Sequence, residues 1–197
     1  MRKVILLLIV LAIIVPLLMD KGIGQKTINL LDIDFDDIGN IEKNLGQIIK
    51  LEDLAEDKVN RIILSLPDLD WDKVNKHGKK LKRNLVEWIK EKDIEDVEEI
   101  SALIKVLSKF SKYDNELLTM KLASIFTEDK VAFIKALALN KDKLLELGYA
   151  FHYLEIYGEE GRYLADDFNE ILNSDELTKE EKLIGFEFIE IIASCET

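Results

Sequence analysis

The sequence predicts an all-α protein: an N-terminal hydrophobic anchor followed by a multi-helix bundle or irregular α-solenoid of about nine short helices. Three observations carry this. Residues 4–19 contain no charged side chain. From Asp37 onward, apolar residues recur three and four apart, the spacing that lines one face of a helix. Only 2 Pro and 9 Gly interrupt 197 residues, and the turn-bounded β-branched runs typical of strands are scarce.

Met1-Arg2-Lys3 forms a positive start, and Val4 to Met19 runs apolar for sixteen residues. Such a run partitions into lipid and lies just under the ~17 residues at the short end of membrane-spanning helices. Positive charge before it, against a nearly balanced flank of Asp20, Lys21 and Lys26, directs the N-terminus to the cytoplasm and the rest of the chain outward. Residues 1–24 are therefore expected to be a signal anchor. The alternative is a signal peptide cut after Gly22-Ile23-Gly24, which would release the chain as a secreted protein starting at Gln25.

Residues 25–37 read as an acidic linker, ending in Asp32, Asp34 and Asp36 alternating with apolar residues. A calcium loop is rejected, because Asp37 and Lys43 stand where Gly and Glu would be needed. Residues 38–197 then form the acidic helical domain. Its first run is Ile38, Ile41, Leu45, Ile48 and Ile49, and its second, Leu54 to Leu66, stops at Pro67. Asp70 or Asp72 caps a third carrying Trp71, Val74, Leu81, Leu85, Trp88 and Ile89 on one face. Asp93 is read as opening a helix from Ile94 to Phe110, followed after Asp114 by Leu117 to Phe126, with Thr127 capping a short helix through Leu137.

Asn140 to Asp142 breaks the pattern. The next helix is expected to run from Leu144 through Tyr157 and to end at Gly158 to Gly161. Leu164 to Leu172 marks another, and Thr178-Lys179-Glu180-Glu181 has the capping-box form that opens the last, Leu183 to Ala193.

Charge bounds the function. The chain carries −12; its first 24 residues hold +2 (Arg2, Lys3 and Lys21 against Asp20), which leaves −14 on the remainder. A domain so acidic repels phosphate backbones, so nucleic acid is not an expected partner, whereas a cationic protein is. Cys195 is the only cysteine, and His77 and His152 stand far apart, so neither a disulfide nor a zinc site is expected. No phosphate loop or nucleophile elbow is present, and no cofactor is called for. No grouping identifies a reaction. The enzyme alternative rests on the carboxylate pairs Glu159-Glu160 and Asp166-Asp167, which would suit acid–base work on a cell-envelope glycan.

Two local features remain. Lys73 to Arg83 holds six cations and no acid, an exposed basic face able to meet anionic polymers or the protein's own acidic surface. Tyr149, Tyr153 and Tyr157 are spaced i, i+4, i+8, and on one helix they would form a stripe beside His152 and Arg162. Tyrosine combines large contact area with a polar tip, which suits recognition, so these five residues are the candidate binding site. The expected function is a membrane-anchored extracytoplasmic binding or scaffold protein, in its specific form an immunity-type inhibitor of a basic toxin.

Overall fold

The structure is a computed structural model and describes residues 33–51, 53–76, 79–157 and 164–194. The anchor expected at 1–24, most of the linker, and Arg162 lie outside these residues. Among the described residues there is no strand, and no helix is long and apolar enough to cross a membrane.

Among the described residues ten α-helices follow one another: α1 (Ile38–Ile48), α2 (Glu56–Ser65), α3 (Trp71–Lys76), α4 (Lys79–Lys90), α5 (Val97–Val106), α6 (Lys112–Glu128), α7 (Lys130–Ala138), α8 (Leu144–Tyr153), α9 (Leu164–Asn173) and α10 (Lys179–Ser194). Their starts obey local chemistry. The Asp37 carboxylate accepts from Gly39 N at 2.9 Å, and Asp70 accepts from the amides of Asp72 and Lys73 at 3.1 Å. The expected capping box is present, with Thr178 N donating to Glu181 Oε2 at 2.7 Å.

Several boundaries differ from those the sequence predicts, each for a visible reason. The last residues of the linker are tied down: Asp36 pairs with Arg61, and the Lys58 ammonium lies 5.3 Å from the Phe35 ring centroid. The helix expected from Asp93 begins at Val97, with Asp96 as N-cap, because the stretch 93–96 is non-helical and buries Ile94 without helical turns. Thr127 does not cap α7. Its hydroxyl donates to Ala123 O inside α6, and Asp129 is the cap, accepting from Ala132 N at 2.9 Å.

Packing is between near neighbours in the chain. α4 packs on α6, α6 on α8 and α8 on α10, while α2 packs on α5, α5 on α7 and α7 on α10. The most aromatic part of the core lies where α6, α7, α8 and α10 meet. Phe126, Phe133, Phe151 and Phe188 are essentially buried, and each ring centroid is within 6.0 Å of the other three. Four of the six pairs meet edge-on and two are tilted, and aromatic contacts of this kind add about 0.5–1.5 kcal/mol per pair beyond the area buried. Behind them, Asn140 is buried and donates from Nδ2 to Ser101 Oγ and to Ala136 O, both at 2.8 Å, which fixes the turn into α8.

Three of the six cations in the basic run, Lys73, Lys82 and Arg83, are spent on the protein itself. Lys73 pairs with Glu42 and Asp70, Arg83 pairs with Glu87 and lies over the Tyr113 ring, and Lys82 donates to Lys109 O while covering Trp71.

Candidate recognition surface

α8 is anchored from behind. Leu144, Leu147, Gly148 and Phe151 are its buried face, and Gly148 decides how closely it meets α10. A methyl group at that position would lie 2.6 Å from Ile191 Cγ2, so only glycine admits this approach. At the end of α8, His152 Nδ1 lies 2.9 Å from Ile192 O. A carbonyl only accepts, so Nδ1 carries the hydrogen and locks the ring against α10.

The helix stops earlier than the sequence predicts. It ends at Tyr153, and Glu155 turns the chain with φ of 53°, its amide donating to His152 O at 2.9 Å. Glutamate thus does the work usually given to glycine after a helix. The Gly158 to Gly161 segment lies beyond the described turn.

This early end splits the tyrosines. Tyr149 and Tyr153 share the outer face of α8, 49% and 82% exposed, and Leu145 extends the same stripe by one turn at 56%. Tyr157 leaves the stripe. Its hydroxyl donates to Asp167 Oδ2 at 2.9 Å, and Asp167 is held in turn by Lys130 at 3.3 Å. Burial, with the Asp167 carboxylate beside it, drives the Tyr157 hydroxyl pKa far above its ordinary value. The structure therefore brings Tyr149, Tyr153 and His152 together on α8 and turns Tyr157 inward. Of the carboxylate pair Asp166-Asp167, the second member is engaged by Lys130 and Tyr157.

Beside Tyr153 opens a cleft of about 620 Å³ between the first half of α6 and the last turn of α8, lined by Asn115, Thr119, Ala150, Tyr153 and Leu154 among others. The buried Oδ1 of Asn115 has no hydrogen-bond partner. The sequence places Leu145 among the apolar residues of this helix but not in the tyrosine stripe, and it does not point to Asn115. Leu145 was detectable as the residue four before Tyr149; Asn115 carries no local signal, since only the crossing of α6 and α8 brings it to Tyr153.

A second cleft, of about 430 Å³, lies where the N-terminal ends of α2 and α5 meet the chain leaving α4. Six carboxylates line it: Glu56, Glu91, Asp93, Glu95, Asp96 and Glu99. Glu99 is only 3% exposed, and its Oε1 has no hydrogen-bond partner. Burial pushes its pKa up to about 6, the charges of Asp96, Glu56 and Glu95 add to this, and the Asp96 backbone N–H opposes it. Asp96-Val97-Glu98-Glu99 has the spacing of a capping box, the one sequence signal that would have singled out Glu99.

Compared with family models, with curated proteins and with solved structures, the chain shows no match.

Proposed function

We propose that this chain is a membrane-anchored binding protein whose helical domain stands on the extracytoplasmic side and meets a cationic protein partner through the outer face of α8. One observation carries the reading. Leu145, Tyr149 and Tyr153 are large, exposed and aligned on a helix whose opposite face is fixed by Gly148 and Phe151. Side chains of this type on a rigid support lose little freedom on binding, which is where interface energy concentrates. The unpartnered Asn115 amide oxygen in the adjoining cleft adds an acceptor for a partner's donor. The anchor rests on the uncharged run 4–19, the cytoplasmic start on Arg2 and Lys3, and release after Gly24 is the secreted form of the same proposal. The net charge of −14 beyond the anchor favours a basic partner and would speed its approach, as in an immunity-type inhibitor facing a basic toxin.

Site-specific photocrosslinking in intact cells tests this reading. A crosslinker at position 153 should give a discrete adduct that weakens when Tyr149 is replaced by Ala. Equal adducts from position 64, exposed on α2, would remove α8 as the docking face. Protease added to intact cells (protoplasts where a wall is present) should cut beyond residue 30; protection until lysis would put the domain in the cytoplasm.

A further inference from the structure

The cleft around Glu99 holds a buried, unpartnered anionic oxygen in a polar cavity, and a native fold rarely leaves such a group without a purpose. Two structural explanations compete. The first is that the acids merely complement the two helix N-termini that end here, those of α2 and α5. Magnitude decides against it as a full account. Each helix end is equivalent to about +0.5 charge, so the two together offset roughly one carboxylate of six. Lys92 also lines the cleft and offsets another, although its ammonium rests 5.0 Å from the Trp88 ring centroid. About four negative charges remain unbalanced around one cavity. The second explanation is a metal ion. Among the described residues, however, no three acidic, histidine or cysteine side chains converge closely enough to hold one. The carboxylates are spread around a space far wider than the 2.3–2.6 Å ligand sphere of a hard cation.

We propose that this cleft receives an organic cation, an alkylammonium or guanidinium group, with the Glu99 carboxylate as its buried anchor. Such a group brings several donors on a body large enough to reach carboxylates set apart from one another. Its alkyl stem meets the apolar side chains of Leu54 and Val59 on the same wall. The group that binds comes either from a free polyamine or from a lysine or arginine of another protein.

The test uses the full chain in mild non-ionic detergent, isotopically labelled, with n-butylammonium chloride, N-acetyl-lysine amide and spermidine each titrated while amide shifts are followed. Saturable shifts are expected at residues 54–60 and 91–99. Glu99→Gln should weaken binding about tenfold, the loss of one charge-assisted contact. Glu98→Gln removes the same charge from the neighbouring exposed position and should change binding less than twofold. Spermidine binding at least tenfold tighter than the lysine amide identifies a free polyamine as the source; equal binding identifies a protein side chain. Equal weakening by Glu98→Gln and Glu99→Gln would reduce the effect to diffuse surface charge and overturn the proposal. So would calcium chloride saturating the same amides and displacing the ammonium ion, since the site would then be a metal site. None of these outcomes depends on the α8 face.

Discussion

The cleft beside Tyr153 and the cleft around Glu99 are receptive for opposite reasons. The first offers exposed area on a helix that is already satisfied from behind, so the empty face costs the fold little beyond the one unpartnered Asn115 oxygen. The second encloses a carboxylate among other carboxylates, so the empty site is paid for in stability. The contrast teaches where to look for each kind of site. One kind should show in binding and be silent in folding, whereas the other should show in folding before any ligand is known.

The sharpest way to break the comparison is at the support of α8. Tyr157→Ala removes a half-buried ring and takes a hydroxyl donor from Asp167, and it should cost about 3 kcal/mol in a denaturant titration. Tyr157→Phe keeps the ring and should cost only about 1 kcal/mol. If both were silent, Tyr157 would belong with the exposed pair. Gly148→Ala drives a methyl against the β-branched Ile191 and should lower stability by about 1–3 kcal/mol by forcing α8 off α10.

Glu99→Gln probes the other side. Its native pKa stands above that of the unfolded chain, so the native state holds this proton more tightly, and stability falls as pH rises from about 4.5 through about 6. Above that window the penalty is fully present. The charged groups lining the cleft with Glu99 are Glu56 on α2, Asp93, Glu95 and Asp96 before α5, and Glu91 and Lys92 after α4. Substitution by Gln should therefore raise stability at pH 7.5 by about 1 kcal/mol, discounted for screening at the cleft mouth, and leave it unchanged at pH 4. Thermal melts of both proteins at the two pH values check the sign, and a loss at pH 7.5 would mean that the carboxylate is already satisfied. The smallest effects are expected at Tyr149→Ala and Tyr153→Ala, each within about 0.5 kcal/mol in the same melts. A loss of several kcal/mol at either would turn the recognition surface into core.

The sequence made the helical faces legible because burial and period coincide. Ile41, Leu45, Ile48, Val74, Leu85 and Ile89 are all buried, each on the face its spacing predicts. It misled wherever a side chain had two uses. Thr127 can cap or bond back along its own helix, and the helical spacing of Ile94, Val97 and Ile100 hid a non-helical stretch in front of α5. The i, i+4 spacing holds Tyr149 and Tyr153 on one face of α8, but it does not extend to Tyr157, which lies past the helix end. Nothing local marks Glu155 as a helix stop, since residues of its type take a positive φ only when the surroundings impose it. Glu99 was hidden by its own composition: in a chain with 39 acidic residues, one more glutamate in the first turn of a helix reads as a solvated face.

The neighbour-to-neighbour packing has a kinetic consequence. Every extensive helix pairing joins helices no more than three steps apart in the chain, so the loops it closes are tens of residues long, and the entropy given up grows only slowly with that length. Topologies of this kind fold on the microsecond-to-millisecond scale, and structure can spread outward from one well-packed site. The four-phenylalanine junction, drawn from α6, α7, α8 and α10, is such a site. Amides beneath it should be the last to exchange with deuterium, while α1 and the first turn of α2, remote from that junction, open and close many times without disturbing it.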